Sequence, residues 1–314
     1  MAVTIKKGQV ISQFVVKELL PEGSGGMATV VQATRNDGVG VALKISRIAT
    51  DPFFATALKA ETEILQKLSH PGVVKIIPIQ SDIGKQLFME RATELDGHPW
   101  YFSMEYLAGG SLRDYQKKIK LLSPGEASFI AREVVLALEH VHSRGYSHND
   151  VKTDNIIFRH PIKRNMRFEP VLIDFGIAAK IKRIQQDAGS LQWMSPERLN
   201  QIRGSLAPEV QVDATKVDIY AIGVLLYSIL TTKMPFTGMT ENGLTSAILN
   251  KTPGHVTESN SKVPIGLDEL ITSCMAKRPE ARPTTSQLAK ELARYSTDEI
   301  TTLPKSKSFF GIFH

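Results

Sequence analysis

Over residues 10–48 apolar and polar positions alternate, with glycine-containing turns between the runs QFVVKELL (13–20), ATVVQATR (28–35) and GVALKISRI (40–48). A period of two belongs to strands half-buried in a sheet. Asn36-Asp37-Gly38, between the second and third runs, predicts a hairpin. From about residue 53 to 68 the period becomes helical, and Leu58, Glu61, Leu65 and Leu68 share one face. Two more strands are predicted near VVKIIPIQ (73–80) and WYFSMEYL (100–107), flanking a long polar connection over 81–98. Gly109-Gly110 marks a break, and the pattern beyond it is mostly helical. One helix opens at Ser123, with Pro124 at its first position and Glu126 completing a capping box, and closes at Gly145. Short strands NIIF (155–158) and VLIDF (171–175) flank a basic turn, RHPIKRNMRFE (159–169). Several helices follow from 195 to about Tyr295. The longest apolar run, IYAIGVLLYSIL (219–230), is too short to span a bilayer and reads as a buried core helix. A strand-rich first third followed by a helix-rich remainder predicts an α+β chain of two lobes, 1–104 and 105–295, with a tail at 296–314.

Composition changes little in this picture. With 42% hydrophobic and 22% charged residues the 314-residue chain is an ordinary globular one, which excludes a disordered class. A net charge of +6 suits an anionic ligand or an acidic partner, and equally a plain basic surface. The lone Cys274 excludes an internal disulfide and fits a reducing compartment. Its helical context, LDELITSCMAK (267–277), makes it a small core residue. The N-terminus lacks the apolar stretch of a signal peptide, so the expected location is cytoplasmic.

Three features carry candidate chemistry. EGSGGMATV (22–30) places three glycines between two strands, where backbone N–H groups can cradle phosphates, although a glycine turn in a hairpin is an ordinary structural feature. Lys44, inside an apolar strand, needs an anion; Glu61, on an apolar helix face, needs a cation; Glu63, turned roughly 200° away, reads as solvated. YSHNDVKTDN (146–155) is polar enough to be either a solvated turn or a set of reacting groups.

In chain order the glycine turn, VALK at 41–44, Glu61, HNDVKTDN, DFG at 174–176, SPE at 195–197, DIYAIGV at 218–224 and RPEARP at 278–283 resemble the eukaryotic-like (Hanks-type) protein Ser/Thr kinases, with GGMAT similar to the bacterial branch. The resemblance covers about residues 10–295. Each motif alone is weak; their order is specific. It implies a bilobal α+β kinase fold, a β-rich small lobe with one main helix and a larger helical lobe. By the resemblance, Asp150 orients the substrate hydroxyl and takes its proton, and Lys152 sits by the transferred phosphate. Lys44, paired with Glu61, contacts the α- and β-phosphates of ATP. Asn155 and Asp174 bind Mg²⁺, or Mn²⁺ in its place. Gly23, Ser24, Gly25, Gly26, Met27 and Ala28 cover the phosphates. Val30, Ala42 and Ile157 sandwich the adenine, Met104 is the gatekeeper, and Glu105 to Leu107 form the hinge that reads the adenine edge. His148, Phe175 and Leu65 belong to a stack joining the lobes, Asp218 anchors the catalytic loop, and Glu197 pairs with Arg282. The partners implied are protein substrates with Ser or Thr acceptors; nucleic acid is not expected.

The chain departs from the family in several places. Asn149 replaces the arginine that normally precedes the catalytic aspartate and meets an activation-segment phosphate, and the segment DFGIAAKIKRIQQDAGSLQWMSPE (174–197) holds no threonine or tyrosine. The expectation is a kinase active without phosphorylation there, with Ser190 structural. Ala28 replaces the third loop glycine, and Lys277-Arg278-Pro279 lacks the usual acidic residue. Trp193, with Lys180, Lys182 and Arg183, suggests acidic substrate flanks. Two other classes compete: a pseudokinase scaffold, which would normally lack one of the catalytic groups, and a small-molecule kinase, which would not carry SPE, DIYAIGV and the distal arginine together. The basic turn 159–169 reads as solvated. The tail KSKSFFGIFH is apolar enough to dock on the protein itself, a partner or a membrane.

Overall fold

The computed structural model describes residues 3–20, 28–81, 84–175, 191–205, 212–298, 300 and 303. Strands β1 (Val10–Ile11), β2 (Phe14–Leu19), β3 (Ala28–Arg35) and β4 (Gly40–Ser46) form an antiparallel meander. The Asn36–Gly38 hairpin forms where expected: Gly38 takes φ +85°, and Arg35 N–H donates to Val39 O at 2.9 Å. Helix α1 (Pro52–Leu65) starts at Asp51, whose side chain accepts from Phe53 N at 2.9 Å, with proline at the first position.

The next strands are shorter than the apolar runs suggest. VVKIIPIQ gives β5 (Ile76–Ile77) and β6 (Ile79–Gln80), divided at Pro78, which has no N–H to give a ladder. The polar connection is not a bare loop. It holds β7 (Gln86–Leu87), which pairs with β6, and β8 (Glu90–Arg91), which pairs with β9 (Trp100–Glu105). The main sheet runs β1-β2-β3-β4-β9-β5, with β8 beside β9.

The period of two assigns each face of this sheet a separate task. Val41, Leu43 and Ile45 of β4 point into one core with Phe14, Val16, Val31, Ala33 and Tyr101. That core is closed by Ile5 and Ile11 at the start of the chain and by Ala92 and Leu95 of the long connection. The connection is pinned there by the Arg91 guanidinium, 4.8 Å from the Trp100 ring centroid, and by Tyr101 Oη donating to Glu90 at 2.9 Å. Ala42, Phe102 and Met104 belong to the opposite face, with Leu58 and Leu65 of α1. Lys44, in step with Ala42, faces the same way.

The second lobe begins with α2 (Leu112–Ile119) and α3 (Pro124–Ser143), both opened by capping boxes, the second being the predicted Ser123/Glu126 pair. Gly145, just past α3, has φ +80°. Strands β10 (Ile156–Phe158) and β11 (Pro170–Leu172) pair antiparallel. Then come α4 (Pro196–Ile202), α5 (Ala214–Thr231), α6 (Glu241–Asn250), α7 (Val256–Ser259), α8 (Ile265–Cys274) and α9 (Thr285–Ala293). Among the described residues α5 alone is long and apolar enough to cross a membrane, but every residue from Val217 to Thr231 is buried in the lobe. Its Gly223 lets α8 approach: a Cβ there would lie 2.8 Å from Cys274 Cβ. Cys274 is fully buried, and burial pushes its thiol up to about 12, which makes it an unreactive core residue.

Past Tyr295, described residues of the chain bond back to this lobe at Thr297, Ile300 and Leu303. Thr297 N–H donates to Gly125 O, and Ile300 N–H to Met166 O at 3.0 Å; Arg164 donates to Leu303 O, and Ile300 and Leu303 are buried. The basic turn is correspondingly less solvated than its charge suggests. Arg164 holds the chain end, and Arg167 lies 5.2 Å from the Phe129 ring centroid. Residues 304–314, with the FFGIF run, lie outside the described residues.

Candidate active site

Lys44 and Glu61 meet as the two patterns require, one on β4 and the other on the inward face of α1. Lys44 Nζ lies 2.7 and 2.8 Å from the Glu61 carboxylate oxygens and 3.1 Å from Asp174 Oδ1. Burial pulls the Lys44 ammonium down, but the carboxylates of Asp174 and Glu61 together outweigh it and hold the group above its ordinary value. Glu61 also accepts from Phe175 N at 3.2 Å, which ties α1 to the segment carrying Asp174. Glu63 stands outside, 4.0 Å from Lys59 on the exposed face.

The stretch HNDVKTDN is a loop between α3 and β10, stretched over one carboxylate. Asp218, fully buried on α5, accepts from Asn149 N at 2.7 Å and from His148 N at 2.9 Å. It also bonds His142 Nε2 at 2.8 Å. Sequence reading missed His142; its only signal was a histidine in the last turn of a helix, a place that favours positive charge. His148 stacks edge-on against Phe175, with ring centroids 4.8 Å apart. Its Nδ1 receives Asp150 N–H at 3.2 Å, so its Nε2 carries the proton given to Ile173 O at 2.8 Å. Leu65 lies in the same core cluster.

These bonds hold Asp150 where Lys152 and Asn155 converge on it. Lys152 Nζ is 2.9 Å and Asn155 Nδ2 is 3.0 Å from Asp150 Oδ2; Asn155 Nδ2 also reaches Asp150 O at 2.8 Å. Two residues beside the cluster, Asn149 at φ +63° and Asp174 at φ +66°, adopt the left-handed backbone that non-glycine residues seldom occupy, and such strain gathers at working sites. Asn149 turns its amide onto Ser147 Oγ at 2.8 Å.

The donor set fits Mg²⁺. With its NH₂ spent on Asp150, Asn155 keeps an amide oxygen to offer, and Asp174 offers a carboxylate. Mg²⁺ normally takes one or two protein oxygens and completes its shell with phosphate and water. Among the described residues no group of three His, Cys, Asp or Glu could by itself hold a metal.

The residues expected around the adenine lie on strands of both lobes. Ala42 pairs with Met104 across β4 and β9, Val30 with Lys44 across β3 and β4, and Ile157 with Val171 across β10 and β11. Met104 is buried, Val30, Leu107 and Ile157 are half-buried, and Glu105 N–H donates to Lys75 O at 2.9 Å. Ala28 opens β3, whereas Gly23, Ser24, Gly25, Gly26 and Met27 lie outside the described residues, as do Gly176, Lys180, Lys182, Arg183 and Ser190. Behind the site, Arg282 Nη1 and Nη2 meet Glu197 at 2.6 and 2.8 Å; the arginine is buried, also donates to Ala276 O and Lys216 O, and lies over the Tyr220 ring.

Comparison with known proteins settles the family. The protein kinase domain matches residues 15–292. The chain belongs to the protein kinase domain family. It is 31% identical over 275 residues to serine/threonine-protein kinase PrkC of Bacillus subtilis, an alignment that takes in 84% of this chain and 38% of the relative. It is 29% identical over 268 residues to serine/threonine-protein kinase PknE of Mycobacterium tuberculosis, covering 83% and 42%. The chain thus spans about two fifths of the length of these relatives. Among solved structures, Rad53 1–466 in complex with AMP-PNP superposes with a TM-score of 0.66 at 25% identity, covering 89% of this chain and 64% of that chain. The curled sheet carrying α1 and the helical lobe built on α5 are the two lobes of the kinase fold.

Proposed function

We propose that this kinase domain transfers the γ-phosphate of ATP to Ser or Thr hydroxyls of proteins, itself included. The observation that carries the reading is one arrangement: Lys44 held between Glu61 and Asp174, facing a loop on which Lys152 and Asn155 converge on Asp150. In this reading the acceptor hydroxyl hydrogen-bonds Asp150. Its oxygen forms a bond to the γ-phosphorus as the bond from that phosphorus to ADP breaks, and its proton passes to the Asp150 carboxylate. Such a transition state is loose, so positioned charge does most of the work. Lys152 Nζ is close enough to Asp150 to reach the phosphoryl oxygens as charge shifts onto them. Lys44 holds the nucleotide's inner phosphates, and Glu61 holds Lys44. Mg²⁺, bound through Asn155 and Asp174, would offset phosphate charge. Ala42, Val30 and Ile157 enclose the adenine, whose edge is read by the backbone from Glu105 to Leu107; the glycine turn 23–28 covers the phosphates. The lobes divide near residues 104 and 105.

The AMP-PNP complex of Rad53 and the names of the bacterial relatives support this reading. A pseudokinase scaffold is disfavoured because every charged group of the arrangement has a partner suited to chemistry. A small-molecule kinase is disfavoured by the Glu197–Arg282 pair and Asp218, which belong to the peptide-docking lobe. Asn149 spends its amide on Ser147 and offers no cation to a phosphate on the activation segment, so we assign the enzyme to those active without phosphorylation there. Activity lost on phosphatase treatment, with a phosphosite mapped to 177–190, would contradict that assignment.

The test is transfer from labelled ATP with Mg²⁺ to the protein itself and to a generic basic protein. Asp150→Asn and Lys44→Met are expected to lower the rate by about 10²-fold or more, since each removes a positioned group the transition state needs. ATP binding with no transfer by the unmodified protein would overturn the kinase reading in favour of a scaffold.

A further inference from the structure

Arg159 stands at the junction of three segments and is bonded to each. It is the first residue after β10. Its Nη1 pairs with the carboxylate of Glu105, the last residue of β9, and its Nη2 donates to Pro71 O at 2.7 Å, in a turn between α1 and β5. Its Nε lies 3.5 Å from Glu169, just before β11. Its backbone joins the same seam: Ala108 N–H donates to Arg159 O at 3.1 Å, and Gly109 N–H to Phe158 O at 2.9 Å. Gly109 cannot carry a Cβ, which would strike His160 O and Phe158. On the far side Glu105 Oε1 accepts from Lys75 N at 2.9 Å. Arg159 and Glu105 form one wall of a cleft of about 440 Å³ closed by Leu65, Leu68, Val73 and Phe88. Both side chains are largely covered, at 25% and 18% exposed, so the pair is better shielded than an open surface bridge.

Planar and five-pronged, a guanidinium can satisfy carboxylates and a carbonyl on different segments at once with its donors held in a fixed fork. From its place after the strand that follows the loop bearing Asp150, Arg159 joins the turn at Pro71 between α1 and β5, the strand end that leads into the linker between lobes, and the approach to β11. We propose that Arg159 is a positioning residue that clamps the hinge to both lobes and so sets the backbone from Glu105 to Gly109 for the nucleotide. The proposal rests on the reading of Glu105 to Leu107 as the adenine-reading hinge. The clamp coexists with an intact Lys44–Glu61 pair, so it stabilises the competent arrangement, and its loss weakens nucleotide binding.

The test compares Arg159→Ala, Arg159→Lys and, as a control in the same hairpin, Arg167→Ala. Hydrogen exchange is read at the amides of Glu105, Ala108 and Gly109, ADP affinity by calorimetry, and KM against kcat by phosphate transfer. Arg159→Ala is expected to speed exchange at those three amides and leave α5 unchanged. It should weaken ADP binding and raise the ATP KM by about fivefold, the loss expected for a partly screened charge pair, with kcat within about twofold. Arg159→Lys, which keeps the charge but lacks the fixed fork of donors, should recover part of both effects, and Arg167→Ala should show neither. Unchanged exchange at the hinge overturns the clamp. Faster exchange with unchanged ADP affinity overturns the positioning role and leaves a structural one. Failure of the unmodified protein to bind ADP overturns the hinge reading, and the exchange arm, which needs no nucleotide, then decides the clamp by itself. Lysine in place of Arg159 keeps the fold testable if alanine does not.

Discussion

Asp218→Asn is the most informative single change, because it keeps the shape of the loop anchor and removes half of its acceptors. The carboxylate is fully buried and takes three bonds, from Asn149 N at 2.7 Å, His148 N at 2.9 Å and His142 Nε2 at 2.8 Å. An amide offers one oxygen. Turned toward His148 and His142, it sets its NH₂ against the Asn149 N–H; turned the other way, it opposes the other two donors. One buried backbone donor left unpaired costs about 1–3 kcal/mol, and replacing charge-assisted bonds with neutral ones removes about 1 kcal/mol more. At roughly 2–4 °C per kcal/mol for a chain of this size, a total near 3 kcal/mol lowers Tm by about 6–12 °C. The bond lost first is the one that holds Asn149 at φ +63°, so the residue beside Asp150 relaxes. Misplacing a reacting group by about 1 Å costs on the order of 10² in rate. The loss should fall on kcat, because neither Lys44, Glu61 nor the hinge touches Asp218, and ADP affinity should stay within about twofold. The assays are thermal unfolding and steady-state phosphate transfer. A variant with unchanged Tm and kcat, or one whose loss lies in the ATP KM, would refute the reasoning.

Two further tests address parts of the fold remote from the reacting groups. Leu95→Ala opens the second core beneath the sheet and should cost about 2–4 kcal/mol in chemical or thermal unfolding, with ADP affinity in the folded protein unchanged; a neutral substitution would mean that the long connection does not close that core. Lys277, whose ammonium is pushed down to about 8 by burial and then by Arg282, should leave a mark on the pH dependence of stability. Between pH 8 and its ordinary 10.5 the unfolded chain keeps a proton that the folded chain has released, so this group makes stability rise with pH across that window; Lys277→Met should abolish the rise in Tm measured from pH 7 to 10, and an identical profile in both proteins would sink the assignment.

Periodicity carried the site further than composition did. The period of two in GVALKISRI and the helical face of Leu58, Glu61 and Leu65 were enough to turn Lys44 and Glu61 toward each other, because an ionised group on an apolar face is costly unless it meets its opposite. The NDG hairpin, the Ser123 capping box and the buried α5 were legible for the same reason: each is a local rule with no competitor. What stayed hidden was non-local. Nothing near Glu105 announces Arg159, 54 residues away, and nothing near His142 announces Asp218, 76 residues away. The long connection read as polar because its buried residues, Ala92 and Leu95, are isolated between charges, so no period emerges from them. The basic turn read as solvated because charge alone does not say that Arg164 holds a backbone carbonyl of the chain end.

The same contrast bears on how the site is held. Of the groups that converge on the reaction centre, Lys44 and Glu61 sit on regular elements and need only the correct face. Asp150, Lys152 and Asp174 sit on irregular backbone and Asn155 ends a single 3-10 turn, Thr153–Asn155, with φ positive at Asn149 and Asp174, and a regular helix or strand cannot hold such a path. It is held instead by side chains from outside: Asp218 takes the backbone of His148 and Asn149, His148 takes the backbone of Asp150 and Ile173, and Glu61 takes the backbone of Phe175. Each bond runs from a buried polar side chain to the main chain at, or next to, one of these two irregular positions. The polarity concentrated in HNDVKTDN therefore serves two purposes, chemistry at Asp150 and Lys152 and anchorage around them. A substitution among the anchors should accordingly reach the rate through geometry, with the reacting groups themselves intact.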